Sequence, residues 1–116
     1  MPADAPEDRA VLMYVTCPTA GEAERIGGGL VDRRLAACVN ILPEMTAIFQ
    51  WQGERQTERE AVMIVKTRAA LADAVTAAIR ATHPYTNPAI VVLEIAGGSP
   101  EFLAWILAET RSPASG

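Results

Sequence analysis

Apolar residues fall into two kinds of run along the chain, and each kind predicts a different element. Ala10–Thr16 is almost continuously apolar and partly β-branched, which predicts a strand buried on both faces. After the break at Cys17-Pro18-Thr19, Ala23, Ile26, Leu30 and Val31 recur at helical spacing, with Glu22, Glu24, Arg25, Asp32, Arg33 and Arg34 between and after them. That pattern predicts an amphipathic helix over Ala20–Arg34. Thr19 and Glu22 stand as a capping box at its start, and arginines at its end suit the helix dipole. Ala37–Leu42 and Thr46–Trp51 read as one strand interrupted at Pro43-Glu44, which puts it at a sheet edge or on a bulge. Gln52-Gly53-Glu54-Arg55 predicts a hairpin turn, and a long strand follows from Gln56 to Thr67. Its Ala61–Val65 stretch again reads as buried on both faces. Leu71, Ala74, Val75, Ala78 and Ile79 predict a second amphipathic helix over Ala69–Thr82. Ala89–Ile95 is a fourth strand, ended by Gly97-Gly98. Ser99 as cap and Pro100 at the first position open a third helix, with Phe102, Leu103, Trp105 and Ile106 as its apolar surface.

The order is βαββαβ with a terminal helix. Split βαβ units with right-handed crossovers predict an α+β, ferredoxin-like sandwich: four antiparallel strands in the order 4-1-3-2, helices on one face. At 116 residues the chain is one domain, placed at residues 9–110. Residues 1–8 and 111–116 are expected to be a disordered lead-in and tail. Gly27-Gly28-Gly29 sits inside the first helix, where each glycine costs about 1 kcal/mol relative to Ala. The run is not at a helix start, and no Gly-Lys-Ser/Thr follows, so it is no phosphate loop. It points to close packing of helix on sheet, or to a local kink.

The net charge is −4 and no Lys/Arg cluster occurs, so neither nucleic acid nor an anionic membrane is an expected partner. No apolar run is long enough to span a bilayer. Met1–Arg9 carries acids and no apolar segment, which is not the pattern of a signal peptide. Cys17 and Cys38 lie twenty-one positions apart, a spacing for neither a disulfide framework nor a zinc finger. A cytoplasmic protein is expected.

Five strings narrow the reading. Thr16-Cys17-Pro18, Leu35-Ala36-Ala37-Cys38-Val39-Asn40-Ile41, Trp51-Gln52-Gly53, Met63-Ile64-Val65-Lys66-Thr67 and His83-Pro84-Tyr85 occur in this order across residues 9–110. In order and separation the chain resembles the CutA divalent-cation tolerance proteins. The resemblance implies a tight homotrimer, similar in architecture to PII-type signalling proteins. It also implies a role in tolerance or binding of divalent metals such as copper, with no cofactor required. The alternative is a PII-like signalling or interaction trimer that takes a small molecule in its intersubunit clefts, without specific metal chemistry. The trimer has support of its own, because the long second and third strands outrun one small sheet and an edge strand needs pairing.

Candidate chemistry begins at His83-Pro84-Tyr85-Thr86-Asn87-Pro88, which holds the only histidine in a turn stiffened by two prolines. In the expected topology Cys17 and His83 share one end of the sheet, and Cys38 lies at the other end, about 20 Å away, too far for a disulfide. A thiolate and an imidazole suit copper or zinc, so Cys17 and His83 are the candidate metal ligands. The resemblance implies a cysteine at the end of the first strand and two adjacent histidines before Pro-Tyr in copper-binding members. Here Thr82 stands at the first of those histidines and Val15 at the cysteine, with Cys17 two residues on. Two ligands do not close a structural site; the other reading of His83 is a helix-ending residue bonded to backbone. A second group is Cys38, Trp51, Glu60, Lys66 and Tyr85. Lys66 and Glu60 share a face of an apolar strand and need partners. In a trimer one subunit's end can meet another's, making an intersubunit cleft for a small ligand or an ion-pair network. Trp51 suits trimer packing, and Met45 and Met63 suit core or interface filling. No nucleophile–base pair, carboxylate dyad or His-Glu-x-x-His is present, and the loop after the first strand has no arginine before Arg25, so no enzyme is expected.

Overall fold

The computed structural model describes residues 8–112. The rest of the expected lead-in and tail, residues 1–7 and 113–116, lies outside the described residues. The elements are β1 (Ala10–Cys17), α1 (Ala20–Asp32), β2 (Cys38–Trp51), β3 (Glu54–Arg68), α2 (Ala72–Thr82), β4 (Ile90–Glu94) and α3 (Pro100–Glu109), with a 3-10 turn at Ala69–Leu71 leading into α2. The strands form one sheet in the order β2-β3-β1-β4, all pairs antiparallel. This is the expected α+β, ferredoxin-like order read from the other edge.

The expectation that β1 is buried on both faces holds only in part: on the outer face Ala10 and Thr16 are buried at the two ends but the middle is not. Val11, Met13, Val15 and Cys17 are fully buried, whereas Leu12 and Tyr14 are half-buried. Alternation along a strand puts these two sets on opposite faces, and α1 and α2 cover only the first. There Met13, Val15 and Cys17 lie across from Val65, Met63 and Ala61 and pack with Ala23, Ile26 and Leu30 of α1 and Val75 and Ile79 of α2. The helices are not all on one face either. The Phe102 ring of α3 lies 5.1 Å from Lys66 Nζ, and Lys66 pairs with Leu12 on the outer face.

Local chemistry explains the ends of α1. Thr19 Oγ1 accepts the Glu22 N–H at 3.1 Å, but the Glu22 carboxylate binds Arg25 instead of closing the capping box. The helix stops at Asp32, and Arg34 takes φ 57°, so the arginines lie past the last turn and not within it. Gly27 is where α1 meets the sheet: a Cβ there would stand 3.0 Å from Val39 Cγ1 and 3.3 Å from Met63 Sδ. Gly28 and Gly29 have nothing within 4 Å of such a Cβ, so close packing accounts for only one glycine of the three.

β1 pairs with β3 only as far as Ala61, so the seven residues Glu54–Glu60 pair with β2 alone. They form a ribbon that turns at Gln52 (φ 50°) and Gly53 (φ 83°), the positive-φ pair that two-residue hairpins favour. The ribbon stretches the fold to 47 × 27 × 26 Å, with a radius of gyration of 15.2 Å; a compact chain of this length has about 13 Å. The β2–β3 register shifts by one residue between Leu42 and Met45. This bulge holds Pro43 on an edge strand, as its missing N–H requires.

Both ends of the described segment are tied to the domain. Asp8 accepts from Arg68 Nη1 at 2.9 Å and from the Ala70 N–H at 3.0 Å. Arg68 also donates to the Leu107 carbonyl and to Thr110 Oγ1, and the Arg111 N–H reaches the Arg34 carbonyl at 2.8 Å. Composition placed Asp8 and Arg111 outside the domain; the structure bonds both to it.

Candidate functional site

α2 ends at Thr82 because Pro84 disfavours helical backbone in the residue before it, and His83 accordingly adopts φ −78°, ψ 139°. That turn swings the His83 ring onto the end of β1. Its Nε2–H donates to the Thr16 carbonyl at 2.8 Å, and its Nδ1 accepts the Tyr85 N–H at 3.0 Å. A carbonyl only accepts and an amide N–H only donates, so these two bonds place the ring proton on Nε2. The Tyr85 ring stands 5.0 Å away, tilted by 52°. Cys17 follows Thr16 and is fully buried. Burial foremost, then the Glu22 and Glu60 carboxylates, pushes its thiol up to about 11, against the lowering effect of Arg25. The Tyr85 phenol is raised by burial, then by Glu60, Glu58 and Cys17.

The expected metal pair is therefore together in space but not arranged as ligands. One His83 nitrogen carries a proton and the other's lone pair is occupied. The Cys17 thiol keeps its proton at neutral pH, although a metal binds the thiolate. Among the described residues no group of three or more His, Cys, Asp or Glu side chains is placed to hold an ion. As bonded here the donors do not make a closed metal centre, and the His83 ring joins β1 to the turn before β4. Thr82, where the resemblance expects a second imidazole, donates its hydroxyl to the Ala78 carbonyl at 3.1 Å and accepts Arg25 on its own carbonyl at 2.8 Å.

The five expected cleft residues do not converge within the chain. Cys38 and Lys66 are cross-strand partners at one end of the sheet. Glu60 lies toward the other end, paired with Met45, whose sulfur accepts the Tyr14 hydroxyl at 3.9 Å. Tyr85 is at that same end, and Trp51 pairs with Glu54 at the ribbon tip, 59% exposed. Six residues of strand separate Glu60 from Lys66, about 20 Å. Both cysteines are free: Cys17 is level with Ala61 and Cys38 with Lys66. Sequence reasoning missed Phe102 over Lys66 and the Arg68 network, which join segments far apart in the chain. One signal was available: Lys66 is the only lysine. Two surface hollows, one at Arg25, Leu30, Arg33 and Ala78 and one at Gly28, Val31, Val39 and Ile41, include none of the candidate residues.

The comparison with known proteins is consistent with this geometry. The family model described as "CutA1 divalent ion tolerance protein" matches residues 11–109. The chain belongs to that family. "Protein CutA 1, chloroplastic" of Oryza sativa subsp. japonica is 38% identical over 102 residues, which are 88% of this chain but 58% of that protein. The chain thus spans little more than half of that CutA relative's length. "Divalent-cation tolerance protein CutA" of Thermus thermophilus is 41% identical over 99 residues, 85% of this chain and 96% of the relative. The crystal structure of CutA1 from Oryza sativa superposes with a TM-score of 0.86 at 38% identity, covering 90% of this chain and 95% of that one. All five strings fall within the matched region. No described helix is long and apolar enough to cross a membrane.

Proposed function

We propose that this CutA family member acts in tolerance of divalent cations, copper among them, as a cytoplasmic homotrimer whose subunits cover one another's outer sheet faces. The observation that carries the reading is that face itself. On β4, Val91 and Leu93 are 49% and 43% exposed, across from half-buried Tyr14 and Leu12, and at the β2 edge Leu42 is 50% exposed. The ribbon adds exposed Phe49 and Trp51 on the same side and Ile48 on the other. A contiguous apolar patch marks an interface, an open sheet edge asks for pairing, and a two-stranded ribbon alone is marginal in water. Head-to-tail closure of three copies answers all three demands. Metal tolerance is supported by family membership, and the two free thiols suit a reducing compartment. Because the Cys17–His83 pair is engaged in the fold, copper contact is weak and does not run through a closed centre in the subunit.

Light scattering on the purified chain tests the assembly, and growth of a copper-sensitive bacterial host tests the role. The wild type is expected to be trimeric and to raise the tolerated Cu(II) concentration; Leu93→Asp is expected to abolish both. A monomeric wild type, or tolerance undiminished in a monomeric variant, refutes the reading. Copper affinity is expected to be unchanged in folded His83→Ala, and a tenfold or greater loss (about 1.4 kcal/mol) would restore His83 as a ligand.

A further inference from the structure

The outer side of β3 has a polar order. From the ribbon towards α3 it reads Glu58, Glu60, Val62, Ile64, Lys66, Arg68, with acids at one end, β-branched residues in the middle and bases at the other. Arg68 is occupied by Asp8, Thr110 and the Leu107 carbonyl. Lys66 is not: its close neighbour is the Phe102 ring, and among the described residues no carboxylate pairs with it. Glu58 and Glu60 likewise have no cation among the described residues. Lys66 and Glu60 are already half-buried in the lone subunit, and they stand about 20 Å apart along one strand, so neither can satisfy the other within a chain.

A second copy laid on half-buried Ile64 and its cross-strand neighbour Tyr14 takes both charges further from water. An ion buried without a partner is strongly unfavourable, whereas a pair with good geometry is tolerated and fixes register. The same face carries both signs at its two ends, so a copy of this chain is the partner it fits. We infer that Lys66 of one subunit seats against Glu60 of the next, so that each subunit gives one cation and receives one carboxylate around the ring. This rests on the trimer proposed above and adds the contact that sets its register. Cys38, cross-strand from Lys66, and Met45, cross-strand from Glu60, flank the junction with sulfur side chains. The ammonium beside Cys38 makes this junction an ion pair and not a cation site.

The test is a charge swap, read by sedimentation across a dilution series with folding checked by circular dichroism. Glu60→Lys and Lys66→Glu are each expected to raise the concentration of half-dissociation at least about tenfold. The double variant Glu60→Lys/Lys66→Glu is expected to return it to within about threefold of the wild type. The residues are too far apart to touch inside one chain, so recovery reports contact between subunits. A trimeric wild type whose double variant shows only the summed loss overturns the pairing and leaves the trimer standing. A monomeric wild type overturns both.

Discussion

Placing alanine at each glycine of α1 in turn separates backbone propensity from packing. At Gly27 the new Cβ would lie 3.0 Å from Val39 Cγ1, 3.4 Å from Val39 Cβ and 3.3 Å from Met63 Sδ, inside the roughly 3.5–4.0 Å of a good carbon contact. Either Val39 moves on its edge strand, or α1 lifts and loosens Ala23, Ile26 and Leu30 against the sheet. Overpacking of this kind costs about 1–3 kcal/mol, and alanine returns about 1 kcal/mol of helix propensity. Gly27→Ala is thus expected to be destabilising by about 0–2 kcal/mol. Gly28 and Gly29 have no atom within 4 Å of the same Cβ, so alanine there gains the propensity unopposed, about 1 kcal/mol each. Thermal unfolding at one fixed protein concentration makes the comparison, so that any self-association affects all variants alike. About 1 kcal/mol corresponds to about 4 °C in a chain of this size. Gly28→Ala and Gly29→Ala should melt above the wild type and Gly27→Ala at or below it. Equal stabilisation at all three positions would refute the close-approach account.

Two further predictions concern the core and its rim. The Cys17 thiol stays protonated to about pH 11 in the fold and ionises near about 8.5 when unfolded. The unfolded chain therefore loses its proton first. The associated stability, about 3 kcal/mol, is complete below the unfolded value and is lost as pH rises through the folded one. Urea unfolding of Cys17→Ala should show a flatter decline over that window than the wild type, and parallel curves would sink the argument. Arg68→Ala removes the link between Asp8, β3 and the end of α3 and is expected to destabilise by about 2–3 kcal/mol, with faster amide exchange in α3. Arg68→Lys should recover only part, because one ammonium cannot reproduce the forked contacts; full recovery would mean that charge alone mattered.

The element order was legible because period-2 and period-3.6 patterns alternate cleanly, and Pro43 announced its bulge. The faces were harder. Leu12 and Tyr14 carry the same apolar signature as Met13 and Val15, and only the placement of α1 and α2 shows that one set is core and the other lies on the half-buried outer face. His83 poses the same difficulty in chemical form. An imidazole between a helix and a proline looks identical whether it meets a metal or a carbonyl, and the carbonyl it meets in the fold, that of Thr16, is 67 residues away in sequence. The capping box was half right, since Thr19 caps as expected while Arg25, one turn on, competes for Glu22. Of the glycine run, only Gly27 could be assigned to packing.

The extra residue at Pro43 works as a half-turn of phase. Before it, the odd-numbered Val39 and Ile41 lie against the helix-side core; after it, the odd-numbered Met45, Ala47, Phe49 and Trp51 share a side with Glu60, Glu58, Gln56 and Glu54. One strand thus serves two customers, its own core and the outer surface, without any break in its odd-position apolar rhythm. Removing a single residue at 43–44 would leave every ladder bond of the ribbon free to re-form and still roll Phe49 and Trp51 to the wrong side. Length at that one point, more than the identity of any side chain along the ribbon, decides which way its aromatic residues look.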